Sequence, residues 1–159
     1  MIVVADASTL IGLSRIKRLN LLSILFKEII ITPSVYHEVT SQSKPGSEQI
    51  KKAKYLRIEN VQDKVAVELL LSSFGKGEAE VLTLAREKHA DILLVDEIKA
   101  RKAARRAGFS VVGVLGVLIM AKKRNIIQSV KPLIENLCNQ GFRLSPRVIE
   151  KTLQEAGEI

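Results

Sequence analysis

Short, almost wholly apolar runs alternate along this chain with longer stretches whose apolar positions recur every three or four residues. The first pattern marks buried strands and the second amphipathic helices. Strands are expected over residues 2–5, 28–31, 57–60, 92–95 and 110–112. Between them lie helical patterns. Residues 8–16 carry Leu10, Ile11 and Leu13 on one side, and residues 20–26 form a second short helix. Thr32-Pro33 reads as a helix start, with threonine as the N-cap and proline in the first turn. That helix turns Val35, Tyr36 and Val39 inward, with His37 and Glu38 beside them. Ser43-Lys44-Pro45-Gly46 reads as a surface turn, and a further helix follows it. Residues 63–71 look helical. Gly75-Lys76-Gly77 breaks the chain, and Glu78 opens a helix with Ala79, Leu82 and Ala85 at core spacing. Residues 97–107 form a basic helix stopped by Gly108. Helices fill the remainder, with Ser129 and Ser145 as candidate N-caps.

Strands that are apolar throughout and separated by helices build a parallel sheet, and the crossovers place helices on both of its faces. The expected class is therefore α/β, as a single domain over residues 1–159. Hydrophobic residues make up 47% of the chain but aromatics only 4%, so the core must be mostly aliphatic and long base-stacking platforms are not expected. The apolar run at 111–121 is too short to span a bilayer, and no signal-peptide pattern opens the sequence. With the single cysteine, Cys138, no internal disulfide forms. A cytoplasmic setting is expected, with Cys138 as a small core residue of a leucine-rich helix. A net charge of +8 suits contact with a polyanion such as RNA.

In an open parallel sheet the functional site lies beyond the carboxyl ends of the strands. Two predicted strands end there in an aspartate, Asp6 and Asp96. Glu78 opens the helix feeding the second of these strands, and Glu38 lies on the helix after the second predicted strand. Each acid alone has a plainer reading as a helix cap, a favourable charge at a helix start or a solvated residue. Together they would repel one another and raise a pKa unless a cation intervened. Carboxylates and water are the ligands that Mg²⁺ or Mn²⁺ takes, and such an ion activates water and neutralises a phosphoryl group in transfer. An acidic centre in a basic protein thus points to a nuclease. Glu80 competes with Glu78 only if the helix register shifts.

Four stretches bear a family likeness: Val3-Val4-Ala5-Asp6-Ala7-Ser8-Thr9-Leu10-Ile11, Ile31-Thr32-Pro33-Ser34-Val35-Tyr36-His37-Glu38-Val39, Gly75-Lys76-Gly77-Glu78-Ala79-Glu80-Val81 and Ala90-Asp91-Ile92-Leu93-Leu94-Val95-Asp96-Glu97. The later Gly108-Phe109, Gly113-Val114-Leu115-Gly116 and Gly141-Phe142-Arg143-Leu144-Ser145 add to it. In order and spacing they resemble the PIN-domain superfamily, in particular short prokaryotic proteins related to the toxin ribonucleases of toxin–antitoxin pairs. The resemblance implies a three-layer α/β/α fold around a mainly parallel sheet, a divalent metal and cleavage of single-stranded RNA. It assigns the four acids to Asp6, Glu38, Glu78 and Asp96 as catalytic residues and metal ligands. The third position holds aspartate in many relatives. Ser8 matches the small hydroxyl residue beside the first acid, and Glu97 is placed to assist or replace Asp96. An antitoxin protein and a homodimer are the partners implied.

The basic helix supplies candidate RNA-binding residues, Lys99, Arg101, Lys102, Arg105 and Arg106, beside Asp96. Its bland reading is a solvated face. Lys122, Lys123 and Arg124 read as surface. Gly75-Lys76-Gly77 lacks phosphate-loop spacing, and His37 and His89 have no zinc-spaced partners. A phospho-acceptor domain would need an acid next to Asp6, where Ala5 and Ala7 stand instead, and a lysine near Val112-Gly113-Val114, where there is none. The rival that survives is a non-catalytic module of the same fold that binds RNA or a protein partner.

Overall fold

The computed structural model describes residues 1–41, 44 and 46–159. Five strands, β1 (Val3–Ala5), β2 (Ile29–Ile31), β3 (Leu56–Ile58), β4 (Ile92–Leu94) and β5 (Ser110–Val112), form one parallel sheet in the order β3-β2-β1-β4-β5. The inner strands β1 and β2 are buried at every residue, as their unbroken apolar sequences require when both faces are covered. The edge strands β3 and β5 keep partial contact with solvent.

Ten helices accompany them among the described residues: α1 (Ala7–Arg15), α2 (Leu21–Phe26), α3 (Pro33–Thr40), α4 (Ser47–Lys52), α5 (Lys64–Leu70), α6 (Lys76–Glu87), α7 (Ile98–Arg106), α8 (Val114–Lys123), α9 (Lys131–Asn139) and α10 (Pro146–Glu155). In one layer α5 and α7 flank α6, with α6 against β1 and α7 against β5. In the other, α1, α2 and α10 gather around α8, while α3 touches both α1 and α6. The result is the expected three-layer α/β/α arrangement over an aliphatic core. No helix among the described residues is long and apolar enough to cross a membrane.

Local chemistry explains most helix starts. Thr32 Oγ1 accepts from Val35 N at 3.1 Å, with Pro33 opening α3. Ser145 Oγ accepts from Val148 N at 3.2 Å at the start of α10. The expected turn at Ser43-Lys44-Pro45-Gly46 includes Ser43 and Pro45, which lie outside the described residues; Gly46 precedes α4 with φ +76°, a conformation that suits glycine. α6 begins before Glu78, at Lys76, because Glu78 reaches back to accept from Gly75 N at 3.3 Å.

Two sequence expectations fail. Cys138 is exposed: the buried stripe of α9 is Leu133, Ile134 and Leu137, and Cys138 follows it in the last turn. Ser129 caps nothing. Its hydroxyl donates to Glu158 at 2.9 Å, and the same carboxylate accepts from Val130 N at 2.6 Å, Lys131 N at 3.1 Å and Lys122 Nζ at 3.0 Å. A charged acceptor far along the chain has taken over the cap. Burial pushes the Glu158 pKa up, but these donors outweigh it and hold the group at about 2. Glu158→Gln is expected to lower stability at neutral pH by about 1–2 kcal/mol, the low end for bonds to a charged group because the site stays partly wet. In the native protein this contribution is present above the ordinary glutamate pKa and is lost as pH falls through the folded value. Urea melts of both proteins at pH 7 and pH 3 should therefore diverge at the first and approach each other at the second.

The strand order positions the site. The chain lays β2 and β3 outward on one side of β1, then returns to the other side for β4 and β5. The reversal between β1 and β4 opens a crevice at their carboxyl ends. Ala5 pairs with Leu94, and Asp6 N donates to Leu94 O at 2.8 Å, so the residues leaving the two strands emerge side by side.

Candidate functional site

Asp6 stands at that crevice between β1 and α1. Its Oδ1 accepts from Ala7 N at 2.8 Å, capping α1, and the residue is only 7% exposed. Burial pushes its pKa up to about 6, against the pull of the Ala7 amide, and the charges of Glu78, Glu38 and Asp96 push the same way.

A cavity of about 460 Å³ opens over Asp6, and Glu38, Glu78 and Glu97 line it as well. Each acid arrives from a different element. Glu38 projects from α3 and is exposed. Glu78 comes from the first turn of α6, half-buried. Glu97 caps α7, its Oε2 accepting from Ala100 N at 2.8 Å. Burial pushes the Glu97 carboxyl up, but the Ala100 and Lys99 amides, the facing Glu78 carboxyl and the Lys99 charge prevail and hold it below its ordinary value.

Asp96 sits differently. It does not line this cavity but a neighbouring groove of about 830 Å³. Its Oδ2 accepts from Thr9 Oγ1 at 2.6 Å, and both oxygens accept from Val114 N, at 3.0 and 3.2 Å. Burial raises its pKa, opposed by the Thr9 and Val114 bonds and by Arg101. Its own amide donates to Ser8 Oγ at 3.3 Å, so Ser8 ties the start of α1 to the end of β4. Of the four expected acids, three share the cavity with Glu97, while Asp96 adds its charge from behind and knits β4 to α1 and α8. Glu80 is turned away, accepting from Ser34 on α3.

The donor set consists of carboxylate oxygens, the chemistry of a hard divalent cation. Neither His37 nor His89 lines the cavity. None of the ion pairs among the described residues involves Asp6, Glu38, Glu78 or Glu97, so no lysine or arginine neutralises them at contact. In their present rotamers no three His, Cys, Asp or Glu side chains among the described residues form a group that could hold an ion. The donors fit a divalent cation in kind.

The basic helix divides. Lys99 Nζ donates to Ser73 O at 2.6 Å and lies 5.3 Å from the Phe74 ring centroid, tying α7 to the loop before Gly75. Arg101 is half-buried, its Nη1 donating to Val95 O at 2.9 Å. Lys102, Arg105 and Arg106 are exposed, and Arg105 joins Arg101 along the groove.

Sequence reasoning passed over three residues. Thr9 holds Asp96, and Arg15 and Phe142 line the acidic cavity. A signal for Arg15 was present: Ser8, Ile11, Gly12 and Arg15 stand at i, i+3, i+4 and i+7 of one helix and line the same cavity. Phe142 falls in a stretch that carries the family likeness, but nothing local places it here, since it is brought in from the far end of the chain.

A family model described as a PIN domain matches residues 2–158. No curated protein matches the chain.

Proposed function

This chain belongs to the PIN-domain family, whose fold is of the nuclease type, and on that premise we propose that it is a divalent-metal-dependent endoribonuclease acting on single-stranded RNA. One observation carries the reading: the buried Asp6 at the strand reversal shares a cavity with Glu38, Glu78 and Glu97, and no basic side chain pairs with any of them among the described residues. Burial and the neighbouring carboxylates raise the Asp6 pKa, a cost that a bound cation would relieve.

Asp6, Glu78 and Glu97 are the residues that would hold Mg²⁺ or Mn²⁺. The ion, when bound, lowers the pKa of a bound water and neutralises charge on the phosphoryl oxygens. The remaining work belongs to the chain. Asp6 is held at the crevice by its cap bond to Ala7. Glu38, exposed at the rim and without a side-chain hydrogen bond among the described residues, is the carboxylate free to take a proton from attacking water. Asp96, satisfied by Thr9 and Val114, keeps the ends of β1 and β4 together. The exposed Lys102, Arg105 and Arg106 supply positive charge along the approach for a phosphate backbone.

Cleavage of an end-labelled single-stranded RNA should require Mg²⁺ or Mn²⁺ and stop in excess EDTA, and the same ions should raise Tm, because they bind the folded acids and not the unfolded chain. RNA binding with no cleavage at any metal concentration would instead favour the non-catalytic module.

A further inference from the structure

We propose that Phe142 and Arg15 form a nucleotide subsite at the wall of the acidic cavity, the ring receiving a base of single-stranded RNA and the guanidinium its phosphate. The assignment rests on the reading of the cavity as an RNA site. Phe142 is one of few aromatic residues in a chain with 4% aromatics; it packs against the edge of the core, yet stays half-buried and borders both the acidic cavity and the adjoining groove. The ring is held in place. Gly141, with φ +92°, ends α9, and Phe142 N donates back to Leu137 O at 3.0 Å. Its edge lies on Gly12 of α1. A methyl group at Gly12 would stand 3.1 Å from Phe142 Cε2 and 2.7 Å from Val114 Cγ2, so glycine keeps the helix surface bare where the ring rests. A backbone-anchored ring open to two depressions is a stacking platform for a base.

Arg15 completes the subsite. It lines a cavity rich in carboxylates, yet no carboxylate lies within 4 Å of it among the described residues. Among the described residues the one hydrogen bond of its guanidinium is a long 3.5 Å contact from Nη1 to Gln140 O. A guanidinium left with most of its donors free, beside the proposed cleavage centre, suits a phosphate. Stacking accepts any base, so the subsite should bind without strong base preference.

Fluorescence anisotropy of a labelled single-stranded RNA, in EDTA so that nothing is cut, tests this. Phe142→Leu retains apolar contact with Gly12 but loses the ring, and affinity should fall about 5- to 100-fold. Phe142→Trp should stay within about twofold of the native protein. Arg15→Gln should lower the slope of log affinity against log salt by about 0.7, the value for one phosphate contact on a single strand. Tm measurements identify any variant that has lost its fold; for Phe142→Leu, Arg15→Gln then stands as the independent arm. Unchanged affinity in folded Phe142→Leu, or an unchanged salt slope in Arg15→Gln, overturns the subsite while leaving cleavage by the native chain intact. A native chain that binds RNA but never cuts it in Mn²⁺ overturns the nuclease reading and not the subsite. A native chain that binds no RNA in EDTA and cuts none in Mn²⁺ overturns both.

Discussion

Asp6→Asn is expected to cut RNA cleavage by roughly a thousandfold or more and yet make the metal-free protein more stable. The loss follows from removing a preorganised charge at the reacting centre, an effect of roughly 10²–10³ even for a single donor elsewhere in enzymes. The gain in stability follows from the same charge. Burial and three neighbouring carboxylates raise the Asp6 pKa from 3.8 to about 6. Above that value the folded state must carry a charge that the unfolded chain carries freely, which costs roughly 3 kcal/mol at most. Asparagine keeps the acceptor for Ala7 N, is an equally good N-cap and bears no charge. At pH 7 without metal, Asp6→Asn should melt about 5–10 °C above the native protein. Because the folded pKa is raised, native Asp6 takes up its proton as pH falls through 6, and the gap should close by about pH 4. Saturating Mn²⁺ should also close it, from the other side, by stabilising only the native protein. Calorimetry at pH 7 and pH 4 reads the first effect, and a melt with Mn²⁺ reads the second.

Gly113→Ala should cost about 1–3 kcal/mol and most of the activity, although glycine is not needed there for its backbone angle. A Cβ at Gly113 would lie 2.5 Å from Asp96 Oδ1 and 2.7 Å from Arg101 Nη1. Neither atom can move aside cheaply. Asp96 is pinned by Thr9 and by Val114 N, and Arg101 by Val95 O. Displacing the carboxylate breaks bonds to a mostly buried charge and loosens the join between β4, α1 and the start of α8. Cleavage should fall about 10- to 100-fold, as when a supporting partner of a metal site is lost. Urea denaturation and steady-state cleavage measure the two parts; native stability and rate in Gly113→Ala would show that Asp96 is not held as rigidly as its bonds imply.

The elements that place the site could be read in advance because their signals are local. A strand buried on both faces must be apolar throughout, so the first polar residue after it, Asp6 or Asp96, marks the carboxyl edge of the sheet. Thr32-Pro33 announces α3 through cap chemistry alone. What stayed hidden depends on side-chain direction and on distant partners. Asp96 and Glu97 are adjacent, and nothing local reveals that Thr9 and Val114 engage the first while the second lines the cavity with Asp6. Along α7 five cations look alike in sequence, yet Lys99 is tied to Ser73 and Arg101 to Val95, leaving Lys102, Arg105 and Arg106 on the outside. Ser129 resembles a cap until Glu158, 29 residues away, takes that place. Cys138 counts as apolar by composition, but it follows the last buried turn of α9.

Mn²⁺ binding followed by electron paramagnetic resonance tests most directly whether these carboxylates form a metal centre. Native protein should remove free Mn²⁺ signal in a saturable way, and Asp6→Asn, folded and more stable than the native chain, should not. Equal uptake by both proteins, or none by either, would contradict a metal centre at the end of β1.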